Sequence, residues 1–230
     1  MKEYLSDEYN RIFKKYEHKA FFTTLNDRGY TFQYDEDETE CDLVFIGINP
    51  SYTSKHENGK AYQSHYERNI ARSYFKPFGN IHDQLSAVLR REQYTNWTHL
   101  DLFVHRETNQ NEIKKLISDP VGHEFIMENL EVAKKRLIHI APKIIIISNT
   151  LAREFSGKNR SIDEKGNHHV IWMDLDFDNM DEEYGSFKVK NIPELAHTHF
   201  LFSSVLSGQR ALDIGSRERL VWQVKRVMKS

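Results

Sequence analysis

The stretch from Ile144 to Ile147, an unbroken run of isoleucine, constrains this chain more than any other. A run that is apolar on both faces suits a central strand of a parallel sheet, covered by helices on each side. Pro142 ends the helical pattern before it and Ser148-Asn149 follow it, so the strand opens into polar residues. A second run, Leu43-Val44-Phe45-Ile46, stops at Gly47-Ile48-Asn49-Pro50-Ser51, which reads as a buried strand ending in a turn. In an open parallel α/β sheet, ligands sit in the crevice beyond the carboxyl ends of the strands. Pro50 lacks an N–H and biases Asn49 toward an extended backbone, which would hold an uncharged amide at a fixed place.

The rest of the chain supplies the helices. Tyr9, Ile12, Phe13, Tyr16 and Ala20 fall at helical spacing behind Ser6-Asp7-Glu8, so an amphipathic helix is expected over about 6–22. The acidic run Asp35 to Glu40 reads as a solvated loop. After the Asn-Pro turn the chain is polar and irregular to about Phe78, then helical from Asn80 to Glu92. Trp97 to Val104 fits another strand running into the polar segment His105 to Asn109. Helices are expected over Asn111–Ile117, Gly122–Ile140, Thr150–Phe155 and Ser216–Met228, and a last strand over His199–Ser204. Residues 157–197 read as an insertion, a hairpin with strands at His169–Leu175 and Ser186–Val189.

Four strands, each leaving its carboxyl end in a polar loop and most followed by helix, predict a three-layer α/β/α fold with a central, mainly parallel four-stranded sheet. The expectation is a single domain over 1–230, with an N-terminal helical extension at 1–40 and the insertion at 157–197. The formal net charge of −2 gives no global basic signature, although the final helix is locally basic through Arg217, Arg219, Lys225, Arg226 and Lys229. A single cysteine, Cys41, excludes an internal disulfide framework and an all-cysteine iron–sulfur or zinc site. His168, His169, His197 and His199 share no recurrent zinc spacing with a carboxylate or cysteine, so solvated or capping roles are expected and no metal or other cofactor. The opening residues lack the apolar core of a signal peptide and no apolar run approaches membrane-spanning length, which points to a cytoplasmic protein without a membrane partner.

Two of the strand-end loops carry a resemblance. Gly47-Ile48-Asn49-Pro50-Ser51 is similar to the first signature motif of the uracil-DNA glycosylase superfamily, in its mismatch-specific branch, where Asn stands at the water-positioning place. Phe202-Ser203-Ser204-Val205-Leu206-Ser207 resembles the second motif. Between them Trp97 to Leu102 sits where the family has a strand ending in a Thr-rich turn, and Pro142 to Asn149 resembles its third strand.

The resemblance implies a DNA glycosylase that hydrolyses the N-glycosidic bond of uracil or another damaged base, acting on single- or double-stranded DNA as a monomer. It implies catalytic places for Asn49 and Ser204, and base- or sugar-contacting places for Gly47, Ile48, Pro50, Ser51, Thr98 and Phe202. A stacking aromatic after the first motif would be Tyr62, Tyr66 or Phe75. Ser203, Ser207, Gly208 and Arg210 would hold DNA phosphates, and Leu206 falls where the family inserts a wedge into the space left by the base. One departure matters: the family's His or Asn at the head of the second motif is Phe202 here, and Phe offers no hydrogen bond to a departing base. That substitution motivates a second reading, a non-catalytic module of the same fold that binds nucleic acid or a nucleotide.

Overall fold

A computed structural model describes residues 1–19, 22–52, 63–66, 96–158, 172–206 and 212–230, with only the backbone given at 63–66 and 96. The central sheet contains β2 (Cys41–Gly47), β4 (Asn96–Asp101), β5 (Ile144–Ile147) and β6 (His199–Phe202). All its pairings are parallel, in the order β4-β2-β5-β6. The register sets Phe45 between His99 and Ile146, and Ile147 beside Phe202. The three-layer α/β/α fold expected from the alternation of elements is present. Successive residues alternate between two cores, as the pleat requires. Val44, Ile46, Ile145, Ile147 and Phe200 face the larger one, with α1 (Lys2–Tyr16), α2 (Thr23–Arg28), α3 (Gln110–Ser118) and α4 (Pro120–Ile140). Leu43, Phe45, Trp97, Ile144, Ile146 and Leu201 face the smaller one, closed by α6 (Ile214–Lys229) through Leu220, Val221, Val224 and Val227.

The helices start where the sequence offers caps. Asn109 accepts from the backbone of Asn111 at α3, Asp119 from Val121 and Gly122 at α4, and Asp213 from Ser216 at α6. Each cap satisfies an N–H left over by the first turn and contributes about 1 kcal/mol. The N-terminal helix is no appendage: Leu5, Tyr9, Ile12 and Tyr16 are each at most 1% exposed and belong to the main core.

Several expectations need correction. A second, two-stranded parallel sheet joins β1 (Tyr30–Gln33) to β3 (Gln63–Tyr66), and neither strand was legible in the pattern. The acidic run is not a solvated loop. Glu38 is buried against Arg136 of α4, with Nε and Nη2 donating to one carboxylate oxygen at 3.1 and 2.7 Å, and Asp35 accepts from the Thr98 hydroxyl at 2.8 Å. In the insertion, antiparallel bridges Phe177–Val189 and Asp181–Ser186 form a loose hairpin, with no regular strand over Ser186–Val189; of the strand expected at His169–Leu175 the first three residues lie outside the described residues. Its Phe187 also pairs with Phe200, along the outer edge of β6. His199 is not solvated but buried, its Nδ1 2.8 Å from the Ser186 hydroxyl. His197 fits a capping role, its Nε2 donating to the Ala141 carbonyl just past α4 at 3.1 Å. The expected helix over 80–92, and His168 and His169, lie outside the described residues.

Candidate active site

The strand order reverses direction between β2 and β5: the chain moves from β2 outward to β4, then crosses to β5 on the other side. Connections that diverge in this way leave a crevice outside the carboxyl ends of the two strands. Asn49 follows β2 at that place and Ser148-Asn149 follow β5. Ser203-Ser204 follow β6, one strand further on, so the two resemblance motifs flank the end of β5 at about two strand spacings, roughly 10 Å.

Asn49 is held from one side. Its Nδ2 donates to the carbonyl of Glu107 at 2.6 Å, with longer contacts to the carbonyls of Pro50 and His105 at 3.1 and 3.3 Å. Among the described residues its Oδ1 takes no hydrogen bond from the protein, so the amide orientation is fixed while its acceptor stays open. The anchoring segment is itself braced. Glu107 is ion-paired with Arg28 and accepts from the backbone of Thr108 and Asn109, each at 2.8 Å, and its own N–H donates to the Pro50 carbonyl at 3.0 Å. Beyond Ser51, which is exposed, Tyr52 lies between the guanidinium groups of Arg28 and Arg106, 4.9 and 5.4 Å from its ring centre. Ile48 is 7% exposed and is a core residue, contributing only its backbone to the crevice.

Sequence reasoning missed Asp101. It ends β4 directly beside Gly47, and its side chain is 9% exposed. A Cβ at Gly47 would fall 2.2 Å from its Oδ1, so the absence of a side chain at 47 makes room for this carboxyl. Burial pushes its pKa up to about 8, and burial pushes the neighbouring His99 down to about 3. Although Nε2 of His99 lies 3.5 Å from Oδ1, the two therefore meet as neutral groups near neutral pH and not as an ion pair. The readable signal was position: a lone carboxyl at the carboxyl end of a buried parallel strand, on the same face as His99 two residues earlier.

Thr98 does not reach the crevice. It is fully buried inside β4, and its hydroxyl donates to Asp35 and accepts from Gln33 at 3.2 Å, so it fastens the sheet to the segment after β1. Leu206 is no surface wedge in this structure: it is 3% exposed and packs in the core under α6, where an apolar side chain gains more than in a polar loop. Phe202 is half-buried, edge-on to Phe177 and Phe187 at 5.3 and 5.4 Å. Ser204 is exposed, and the Ser203 hydroxyl donates to its carbonyl at 3.0 Å. Tyr62, Phe75, Ser207, Gly208 and Arg210 lie outside the described residues, and of Tyr66 only the backbone is given, in β3.

Beside the second motif a cavity of about 380 Å³ opens between the hairpin and α6. Thr150 and Arg153 of α5 (Thr150–Phe155), Ser203, Ser204, and Arg219 and Gln223 of α6 line it. Among the described residues no group of three or more His, Cys, Asp and Glu is placed to hold a metal ion, and no helix is long and apolar enough to cross a membrane. No protein-family model matches the chain, and no curated protein sequence does.

Proposed function

We propose that this chain is a DNA glycosylase, hydrolysing the N-glycosidic bond of uracil or another damaged base turned out of the DNA stack. The observation that carries the reading is Asn49: an amide at the strand-reversal crevice, pinned through Nδ2 to the Glu107 carbonyl with Oδ1 left as an acceptor. The likeness of its Gly-Ile-Asn-Pro turn and of the Phe202 to Ser207 loop to the two uracil-DNA glycosylase motifs supports it.

The chemistry follows from what an amide can do. Oδ1 accepts one proton of a water and aims the oxygen lone pair at the sugar carbon, but it cannot take that proton away. Bond breaking therefore leads: the C1′–N bond opens with its electron pair leaving on the base, the water oxygen bonds to the cationic sugar carbon, and a water proton ends on the base anion. The departing anion needs hydrogen-bond donors, which Phe202 cannot supply. In this reading Asp101, neutral below about pH 8, offers the O–H donor from the adjoining end of β4.

The test is incubation with labelled oligonucleotides carrying uracil in single strands, opposite G and opposite A, followed by alkaline cleavage. Strand scission by the wild type and its loss in Asn49→Ala, with DNA affinity retained, is the expected result. Phe202 favours the second reading, a nucleic-acid-binding module without cleavage. Affinity without scission on every substrate would establish that module instead.

A further inference from the structure

The cavity between the hairpin and α6 has a composition that base excision does not require. Among the described residues none that lines it is acidic, yet two are arginines. Arg153 comes from α5, and its Nε is buried without a hydrogen-bond partner. Arg219 projects from α6 on the opposite wall. Among the described residues neither guanidinium has a carboxylate to neutralise it. A third cation stands next to them: the Lys158 ammonium lies 3.6 Å over the ring of Phe187, a wall residue. Burial, and after it the charge of Arg153, hold the Lys158 pKa below its ordinary value.

Positive charge with no carboxylate partner among the described residues, facing a half-open cleft, suits an anion. Hydroxyls of Thr150, Ser203 and Ser216 supply further donors. Phe187, Phe202, Leu212 and Leu220 supply apolar surface to the same lining. The volume, about 380 Å³, falls in the range that holds a small organic molecule, roughly 300–1,000 Å³. A dianion suits two guanidinium groups better than a monoanion does. A phosphomonoester carries nearly two negative charges at neutral pH, whereas a phosphodiester carries one.

We propose that this cavity is a binding site for a phosphomonoester on a planar organic body, a nucleoside 5′-monophosphate or the 5′-phosphorylated end of a DNA strand. Arg153 and Arg219 clamp the phosphate, and the organic body rests against the side of the edge-packed Phe187–Phe202 pair. The site does not depend on Asn49 or on glycosylase activity.

Calorimetric titration of the full chain tests it, with thymidine 5′-monophosphate, thymidine, inorganic phosphate, and an octanucleotide with and without a 5′-phosphate. The monophosphate binds with one site per chain, and thymidine and inorganic phosphate each bind at least about tenfold more weakly. Arg153→Met weakens the monophosphate by a similar factor, as does Arg219→Glu, whose exposed position leaves the fold intact. Lys229→Met, a charge removed from the same helix away from the cavity, and Asn49→Ala leave it unchanged. A 5′-phosphorylated octamer that outcompetes its unphosphorylated twin assigns the strand end, and competition by the free monophosphate alone assigns the nucleotide; either supports the site. Absence of monophosphate binding, equal binding by Arg219→Glu, or inorganic phosphate binding as tightly as the nucleotide overturns it.

Discussion

His105 is the most direct test of the packing described above. Its imidazole is fully buried between the rings of Phe103 and Phe125, at 5.6 and 5.7 Å, and among the described residues neither ring nitrogen has a hydrogen-bond partner. Burial pushes its pKa from 6.5 down to about 3. Replacing it with Phe keeps a planar ring and removes both orphaned nitrogens, each of which costs roughly 1–3 kcal/mol when buried unpaired. Part of that gain is offset by the larger ring, so a net stabilisation of about 1–2 kcal/mol is expected near neutral pH.

A second effect depends on pH. Below pH 6.5 the unfolded chain binds a proton at this position and the folded chain does not, so the unfolded state holds more protons and stability falls as the pH is lowered from 6.5 toward 3. At pH 5.5, one unit below the ordinary value, that loss is about 1.4 kcal/mol, and at pH 7.5 it is under ~0.1 kcal/mol. Urea unfolding of the wild type and His105→Phe at these two pH values should therefore show an advantage for the variant that grows by about 1.3 kcal/mol on acidification. His99, buried and titrating in the same direction, keeps a share of the acid sensitivity in both proteins. A variant less stable at both pH values, with His105→Leu behaving likewise, or an advantage that does not change with pH, refutes the reasoning.

Two other perturbations bear on positions near the crevice and the core. Arg136→Met leaves Glu38 charged and buried, which should cost about 3–5 kcal/mol in thermal or urea unfolding; Arg136→Met with Glu38→Leu should recover most of it, because the uncompensated charge is gone. Gly47→Ala drives a methyl against Oδ1 of Asp101 and should abolish base release; the same variant should lose no more than about 3 kcal/mol of stability, since a side chain and not the backbone must give way.

The sheet was readable because its strands announce themselves by composition. Ile144 to Ile147 and Leu43 to Ile46 are apolar on both faces, and short apolar runs of this kind bounded by Pro or Gly suit central parallel strands. The β1–β3 pair escaped because Tyr30-Thr31-Phe32-Gln33 is too short for alternation to stand out, and its partner lies far along the chain. The acidic run was misjudged for a related reason: local composition cannot reveal that Arg136, 98 residues later, is delivered onto Glu38. At the candidate site Asn49 was legible because a strand end and a following proline coincide. Asp101 was not, since one carboxyl in Trp-Thr-His-Leu-Asp gains meaning only when Gly47 is known to lie beside it. Thr98 and Leu206 show the converse error. A residue placed by likeness to a motif can sit inside the strand or under a helix, and burial decides which.

Phe187 has one more role, set by the pair of backbone hydrogen bonds, 2.9 and 2.8 Å, that it exchanges with Phe200. Those bonds occupy the outer edge of β6, the kind of exposed edge through which sheet proteins add foreign strands and aggregate. The same residue forms a wall of the cavity above. Peeling the hairpin away to admit another chain would dismantle that wall, so the edge of the sheet and the cavity open together or not at all.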